Sequence, residues 1–179
     1  MPIRVVPYDP SWPHQFARIR VALAGALQAV PFLAIEHVGS TSVPGLAAKP
    51  VIDVDVVVLR EHLTPAIEAL VAAGYQHEGD LGIRDRHAMR AADSEPERNV
   101  YVAIDGSLAL RNHLAVRDVL RSDAPLREEY ERLKLDLARR HADDMGAYVA
   151  AKTELLGSIL ARGGITDEER AEIAAANRA

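Results

Sequence analysis

The sequence predicts an α+β protein in which a short mixed β-sheet with flanking helices is closed by a C-terminal helical bundle. Three observations carry this. Residues 33–38 and 51–58 are short apolar runs, the second dominated by β-branched residues that favour a central strand. Between and around them, residues 12–27 and 63–73 repeat apolar side chains at helical spacing. Beyond Asp105-Gly106 nothing reads as strand. The expected organisation is a core over residues 1–106 with a helical region over 107–179 packed on it as one compact unit.

The elements follow in order. After an extended start at residues 3–6, Ser11 and Pro13 signal the beginning of a helix, with Phe16, Ile19, Leu23 and Leu27 on one stripe. Residues 33–38 form a strand that runs into Gly39-Ser40-Thr41-Ser42-Val43-Pro44-Gly45, too rich in turn formers to be anything but a loop. Pro50 closes that loop and the strand 51–58 follows. A helix over 63–73 stops at Gly74, and residues 75–77 begin another strand before the turn at Gly79 to Gly82. Residues 83–91 and 99–104 read as weaker strands separated by the polar stretch 93–98. Helices are predicted over 108–120, 126–140, 148–160 and 167–177, with breaks near Ser122-Asp123-Ala124-Pro125 and at Gly163-Gly164.

Composition removes several functions. A count of 21 Lys+Arg against 26 Asp+Glu leaves a net charge of -5, a field that repels a polyanion, so nucleic acid is not an expected partner. Cysteine is absent, which excludes disulfides, thiolate nucleophiles and thiolate metal sites, so any metal must be held by oxygen or imidazole. No signal-like apolar run opens the chain and no stretch approaches the ~20 residues of a membrane span. The expectation is a soluble, cytoplasmic protein with no membrane partner.

The chemistry-bearing pattern is Asp53-Val54-Asp55. Residues two apart on a strand project from one face roughly 6 to 7 Å apart, so both carboxylates reach one cleft, as metal-assisted phosphoryl or nucleotidyl transfer requires. Taken alone, the same pattern also fits a solvated strand face. Upstream, Gly39 permits positive φ and close approach of a ligand, while Ser40, Thr41 and Ser42 supply hydroxyls and amides for phosphate oxygens, although serine and glycine also serve ordinary turns.

The run from His37 through Gly39-Ser40-Thr41-Ser42-Val43-Pro44-Gly45-Leu46-Ala47-Ala48-Lys49-Pro50 to Asp53-Val54-Asp55 resembles the signature of the GrpB family. Val6-Pro7-Tyr8-Asp9-Pro10-Ser11-Trp12-Pro13, the segment Leu114 to Arg121, and Tyr130, Leu133, Lys134, Tyr148 and Lys152 extend the resemblance across residues 3–163. It implies a fold of the polymerase-β-type nucleotidyltransferase superfamily, in which a glycine-serine turn precedes a strand bearing paired acids. Relatives also occur fused to dephospho-coenzyme A kinase. One departure matters: active members of that superfamily usually add a third carboxylate from a neighbouring strand, and residues 98–102 carry none. GrpB relatives tend to have histidines where this chain has Asn99 and Tyr101.

The expected catalytic and metal-binding pair is therefore Asp53 and Asp55, with Mg²⁺ or Mn²⁺ as the ion and no organic cofactor. Gly39, Ser40, Thr41, Ser42, Lys49 and Arg117 are candidates for phosphate or nucleotide binding. His37, Asn99, Tyr101, Arg86 and Lys134 are auxiliary candidates: His37 to orient a carboxylate or act as base, Asn99 to bond a ligand, Tyr101 to stack on a base. Arg84, Arg86 and Arg90 share a face by strand alternation and suit a triphosphate or acceptor side, or a charged strand edge. Arg117 and Asp118, adjacent on a helix, point apart and need not pair, and Arg139, Arg140 and His141 complement a helix C-terminus. Two functional readings stand. One is transfer of a nucleotidyl group from a nucleoside triphosphate to a small-molecule acceptor, the other a non-catalytic module binding a nucleotide or phosphometabolite. A structural role for the helical part is a third, distinguished by an exposed apolar stripe.

Overall fold

Asp9, not Ser11, organises the start of the first helix in this computed structural model, which describes residues 4–93, 95–140 and 152–176. Its Oδ1 accepts from the Ser11 amide at 2.8 Å, Ser11 makes no capping bond, and α1 runs from Trp12 to Ala26 with Pro13 in its first turn. Of the predicted stripe, Ile19, Leu23 and Leu27 are buried and Phe16 is partly buried against the core, which Trp12 also joins.

Five strands follow: β1 (Ala34–Val38), β2 (Ile52–Val58), β3 (Gln76–Gly79), β4 (Arg86–Arg90) and β5 (Arg98–Ile104). They form one mixed sheet in the order β1-β2-β5-β4-β3. β1 lies antiparallel to β2, β2 parallel to β5, and β4 antiparallel to both β5 and β3. The extended start adds a bridge between Val6 and Ala48, tying the N-terminal segment to the loop after β1. Between β2 and β3, α2 (Leu63–Ala72) ends before Gly74, whose φ of 97° is a glycine conformation. The strand read over 83–91 is shorter than its sequence implies. Leu81 and Asp85 have φ of 50° and 62°, so the chain turns through this region and β4 begins only at Arg86, leaving Arg84 outside the strand. Arg84 therefore does not share a strand face with Arg86 and Arg90.

Alternation sorts the two faces of the sheet. Ile35, Ile52, Val54, Val56, Val58, Met89, Val100 and Val102 pack against Trp12, Ile19 and Leu23 of α1 and Ala66 and Leu70 of α2 in the main core. At about 25 cal/mol per Å² of apolar area, this face supplies most of the hydrophobic stabilisation. The opposite face carries Asp53, Asp55, Asn99, Tyr101 and Arg86, with Val57 and Ala103 packed on Leu110.

Leu110 belongs to α3 (Leu108–Ser122), which Ser107 caps by accepting from the Leu110 amide. α4 (Ala124–Arg140) starts after a break of one residue, because the Asp123 side chain accepts from the Leu126 amide and restarts the helix at once. α5 (Thr153–Arg162) and α6 (Asp167–Ala176) complete the described chain. Residue 3, His141, Tyr148 with the start of its helix, and Asn177 lie outside the described residues. Val43 and Leu46 are buried among Leu120, Leu126, Tyr130 and Ile159, so the glycine-serine loop is pinned between sheet and helices. No described helix is long and apolar enough to cross a membrane.

Candidate functional site

Register places the two acids. Asp53 pairs with Asn99 and Asp55 with Tyr101 across the parallel β2–β5 ladder, and Asp53 pairs with Val38 on β1. Immediately after Val38 the chain turns at Gly39, with φ 69° and ψ −176°, into a single 3₁₀ turn, Ser40–Ser42. Asp53 is thereby held from two sides. The Asn99 amide donates to Oδ1 at 2.8 Å, and Gly39 lies against Oδ2. Burial raises the Asp53 pKa, opposed first by the Asn99 hydrogen bond and then by the charge of His113.

A cleft of about 260 Å³ opens over Asp53, lined by Gly39, Ser40, Lys49, Asn99, Lys134 and Lys152 among others. Three lysines thus face one carboxylate and a glycine turn. Lys134 is buried on α4 and donates to the Ala47 carbonyl at 2.7 Å. Burial, then the charges of Lys152 and Lys49, pushes its pKa down to about 7. Burial and Lys49 bring Lys152 down to about 8. Such a cationic recess, desolvated before a ligand arrives, attracts a polyvalent anion strongly.

Asp55 sits deeper. It is fully buried, and His113 from α3 holds its Oδ2 through Nδ1 at 2.7 Å, while Oδ1 has no hydrogen-bond partner. Burial of His113 opposes its protonation, but the carboxylates of Asp55 and Asp53 prevail and raise its pKa. His113 is the residue that sequence reasoning passes over, since nothing near position 55 announces a partner 58 residues away. The available signal is the helical spacing that sets His113 one turn before Arg117 on the sheet-facing side of α3.

Several candidates are placed elsewhere. His37 alternates onto the opposite face of the sheet from the acids. Its ring stacks on Phe16 at 4.7 Å between centroids and Nε2 meets the Thr41 hydroxyl at 3.0 Å, so it does not orient Asp53 or Asp55. Burial, with Arg121 and Arg117 nearby, lowers its pKa to about 4. Thr41 and Ser42 are buried, and their hydroxyls donate to Val51 and Gly39 carbonyls, so these hydroxyls secure the turn itself. Arg117 donates to Glu36 at 2.6 Å and to Asp118 at 2.7 Å. Adjacency on the helix did not require Arg117 and Asp118 to pair, yet the structure pairs them. Arg117, held by these acids, does not line the cleft. Arg121 donates twice to the Ser42 carbonyl, adding a second clamp on the loop from α3. The Tyr101 ring is covered by the Arg86 guanidinium, 4.3 Å from its centroid, which displaces the expected role of stacking on a base. Arg90 pairs with Glu78 at the sheet edge.

The chain matches the family model described as GrpB protein over residues 2–162. A UPF0157 protein of Streptomyces coelicolor is 38% identical over 162 residues, covering 88% of this chain and 82% of the relative. A dephospho-CoA kinase of Mycolicibacterium paratuberculosis is 34% identical over 181 residues, covering 84% of this chain and 43% of the kinase. Among solved structures, the conserved protein GrpB from Enterococcus faecalis aligns with a TM-score of 0.78 at 31% identity, over 95% of this chain and 99% of that one. The Cid1 poly(U) polymerase bound to MgATP aligns with a TM-score of 0.56 at 13% identity, over 83% of this chain and 50% of the polymerase. At that identity the likeness concerns the fold, which is nucleotidyltransferase-like.

Proposed function

Because the chain belongs to the GrpB family, we propose that the lysine-lined cleft binds the triphosphate of a nucleotide with a divalent cation and passes the nucleotidyl group to a small-molecule acceptor. The observation that carries this reading is the meeting, in one cleft, of Asp53, the Gly39-Ser40 turn and the side chains of Lys49, Lys134 and Lys152. One relative by fold supports it, since Cid1 is described bound to MgATP. The cytoplasm is the compartment that matches such a substrate.

The donor set fits a hard cation. Asp53 faces the cleft, and Asp55 keeps a buried oxygen without a partner, an arrangement that a cation between the two would satisfy. Among the described residues no group of three acids or imidazoles is placed to hold a metal by itself. Mg²⁺ is ordinarily held by one or two carboxylates, with waters and phosphate oxygens completing its shell, so Asp53 and Asp55 suffice when the nucleotide arrives with its ion. Bound there, Mg²⁺ or Mn²⁺ neutralises charge on the phosphoryl oxygens. The chain's own residues do the rest. Lys49, Lys134 and Lys152 compensate phosphate charge, the Ser40 hydroxyl orients an oxygen, and Asn99 fixes the rotamer of Asp53.

A second reading, a binding module without turnover, has a specific observation in its favour. β5, the strand beside Asp53, carries no acid, Asn99 there is bonded to Asp53, and Asp55 is engaged by His113. Thermal-shift and calorimetric titrations with a panel of nucleoside triphosphates, with and without Mg²⁺, test binding. Pyrophosphate release in the presence of a metabolite extract separates transfer from binding. Unchanged metal-dependent nucleotide binding in Asp53→Asn/Asp55→Asn removes the site assignment altogether.

A further inference from the structure

Arg86 is the buried charge that the cleft leaves unused. It is only 9% exposed, its side chain makes no hydrogen bond or ion pair with any described residue, and its Nε is buried without an acceptor, while the terminal nitrogens of the fork are not buried. Its guanidinium lies over the face of Tyr101, 4.3 Å from the ring centroid, and its charge reaches His113. Arginine is rarely buried without a carboxylate or carbonyl to receive its fork, because desolvation of the ion costs more than a ring face returns. The neighbours are informative. Arg86 lies on the same sheet face as Asp53 and Asp55, and Tyr101, the residue beneath it, is the register partner of Asp55. His113, which holds Asp55, also lies beside Tyr101, with ring centroids 5.9 Å apart. The lysine cleft includes none of Arg86, Tyr101 and His113.

A larger space is lined by sequence neighbours of this group, though not by Arg86, Tyr101 or His113 themselves. A cavity of about 630 Å³ is walled in part by Arg84 and Asp85, which immediately precede Arg86, and by Asn112, which precedes His113. Its volume falls in the range that takes a small metabolite. Glu169 within it is already committed to Arg111.

We propose that Arg86 binds an oxyanion, phosphate or carboxylate, carried by the acceptor, so that the acceptor is an anionic small molecule held on the same sheet face as Asp55 and outside the lysine cleft. The assignment rests on the reading of the lysine cleft as the triphosphate site. Phosphate and carboxylate both match the planar fork of a guanidinium, which offers two parallel donors, and the ring of Tyr101 lies against that guanidinium.

The test separates the two sites with simple anions. Inorganic triphosphate is titrated first, to load the lysine cleft, and inorganic phosphate or acetate is then titrated into the loaded wild-type chain, Arg86→Met, Arg86→Lys and Lys134→Met. The expected result is a second anion site in the wild type that weakens by about tenfold or more in Arg86→Met, consistent with losing charge-assisted hydrogen bonds. Arg86→Lys, which keeps the charge and loses the fork, falls between them, and the titrations with phosphate and acetate decide which oxyanion is preferred. Triphosphate binding is unaffected in Arg86→Met and weakened in Lys134→Met. Equal phosphate and acetate affinity in wild type and Arg86→Met overturns the proposal, as does the lack of any second site in the wild type. If triphosphate fails to bind the wild type, the cleft reading is what fails, and phosphate titrated alone into wild type and Arg86→Met still decides whether Arg86 is an anion site. Circular dichroism and melting of each variant verify the fold, and loss of fold in Arg86→Met transfers the decision to Arg86→Lys.

Discussion

Gly39 and Asp53 approach so closely that position 39 admits no side chain. A Cβ built on Gly39 would fall 2.8 Å from Cγ of Asp53 and closer still to Oδ2. The backbone there, at φ 69° and ψ −176°, is itself a region essentially reserved for glycine. The glycine that a sequence reader assigns to close ligand approach is thus already in close approach to a carboxylate of its own chain, and it fixes where that carboxylate points.

Gly39→Ala is therefore expected to destabilise the fold by about 2–4 kcal/mol, from backbone strain and overpacking together. Chemical denaturation measures this, and a double-mutant cycle locates the cause. In an Asp53→Ala background the two closest contacts are removed, only that with the residue 53 Cβ at 3.0 Å remains, and the strain part persists, so an undiminished cost there would exclude the Asp53 carboxylate as its source.

Asp53→Asn should uncouple stability from binding. Burial raises the Asp53 pKa, so the ionised side chain opposes folding at every pH above its raised folded value, and this opposition is absent below the unfolded value of 3.8. The amide preserves the acceptor that Asn99 uses. The variant melts higher than wild type near neutral pH, with no gain in strong acid, while Mg²⁺-dependent nucleotide affinity falls by at least about tenfold. A lower melting temperature at neutral pH contradicts the electrostatic argument.

His113 carries the opposite sign. Its pKa is raised by Asp55 and Asp53 against the effect of burial, so its contribution to stability is complete below the unfolded value of 6.5 and is lost as pH rises through the raised folded value. His113→Gln leaves the fully buried Asp55 without its imidazolium. It should cost about 2–4 kcal/mol near pH 6 and progressively less in alkali. Urea titrations at a series of pH values follow the difference, and a cost that grows with pH would rule out the Asp55 pairing.

Which parts of this site are legible in sequence follows from the range of the interactions. Asp53 and Asp55 share a face because strand alternation is local, and Gly39-Ser40 is a turn because its composition leaves few other conformations. The direction of His37 was open to the same alternation rule, which sets it with Ile35 on the α1 face, away from the acids. Thr41 and Ser42 show why hydroxyls in a loop mislead: a short buried turn consumes its own polar groups before any ligand does. Arg117 and His113 depend on how α3 docks, and no periodicity within α3 states which strand it will cover. The helical region itself is legible, but not that Lys134 would lose its solvation and lean on the Ala47 carbonyl.

The lysines supply the last prediction. Lys134 and Lys152 are depressed to about 7 and about 8, from 10.5 in the unfolded chain. Across that window the unfolded state binds more protons, so these groups oppose folding fully below about pH 7 and the opposition fades as pH rises towards 10.5. A bound polyanion reverses the depression by favouring the charged lysines, and binding must then take up protons. Near pH 8, where Lys134 is largely neutral and Lys152 about half neutral before binding, uptake reaches about one to one and a half protons per triphosphate, the larger share from Lys134. Near pH 6, where both lysines are already charged, it falls towards zero. Calorimetry in buffers of different ionisation enthalpy measures the uptake directly. Lys134→Met removes most of it and flattens the rise of ligand-free stability with pH. Tight triphosphate binding at pH 8 without proton uptake would mean that the anion lies somewhere other than this cleft.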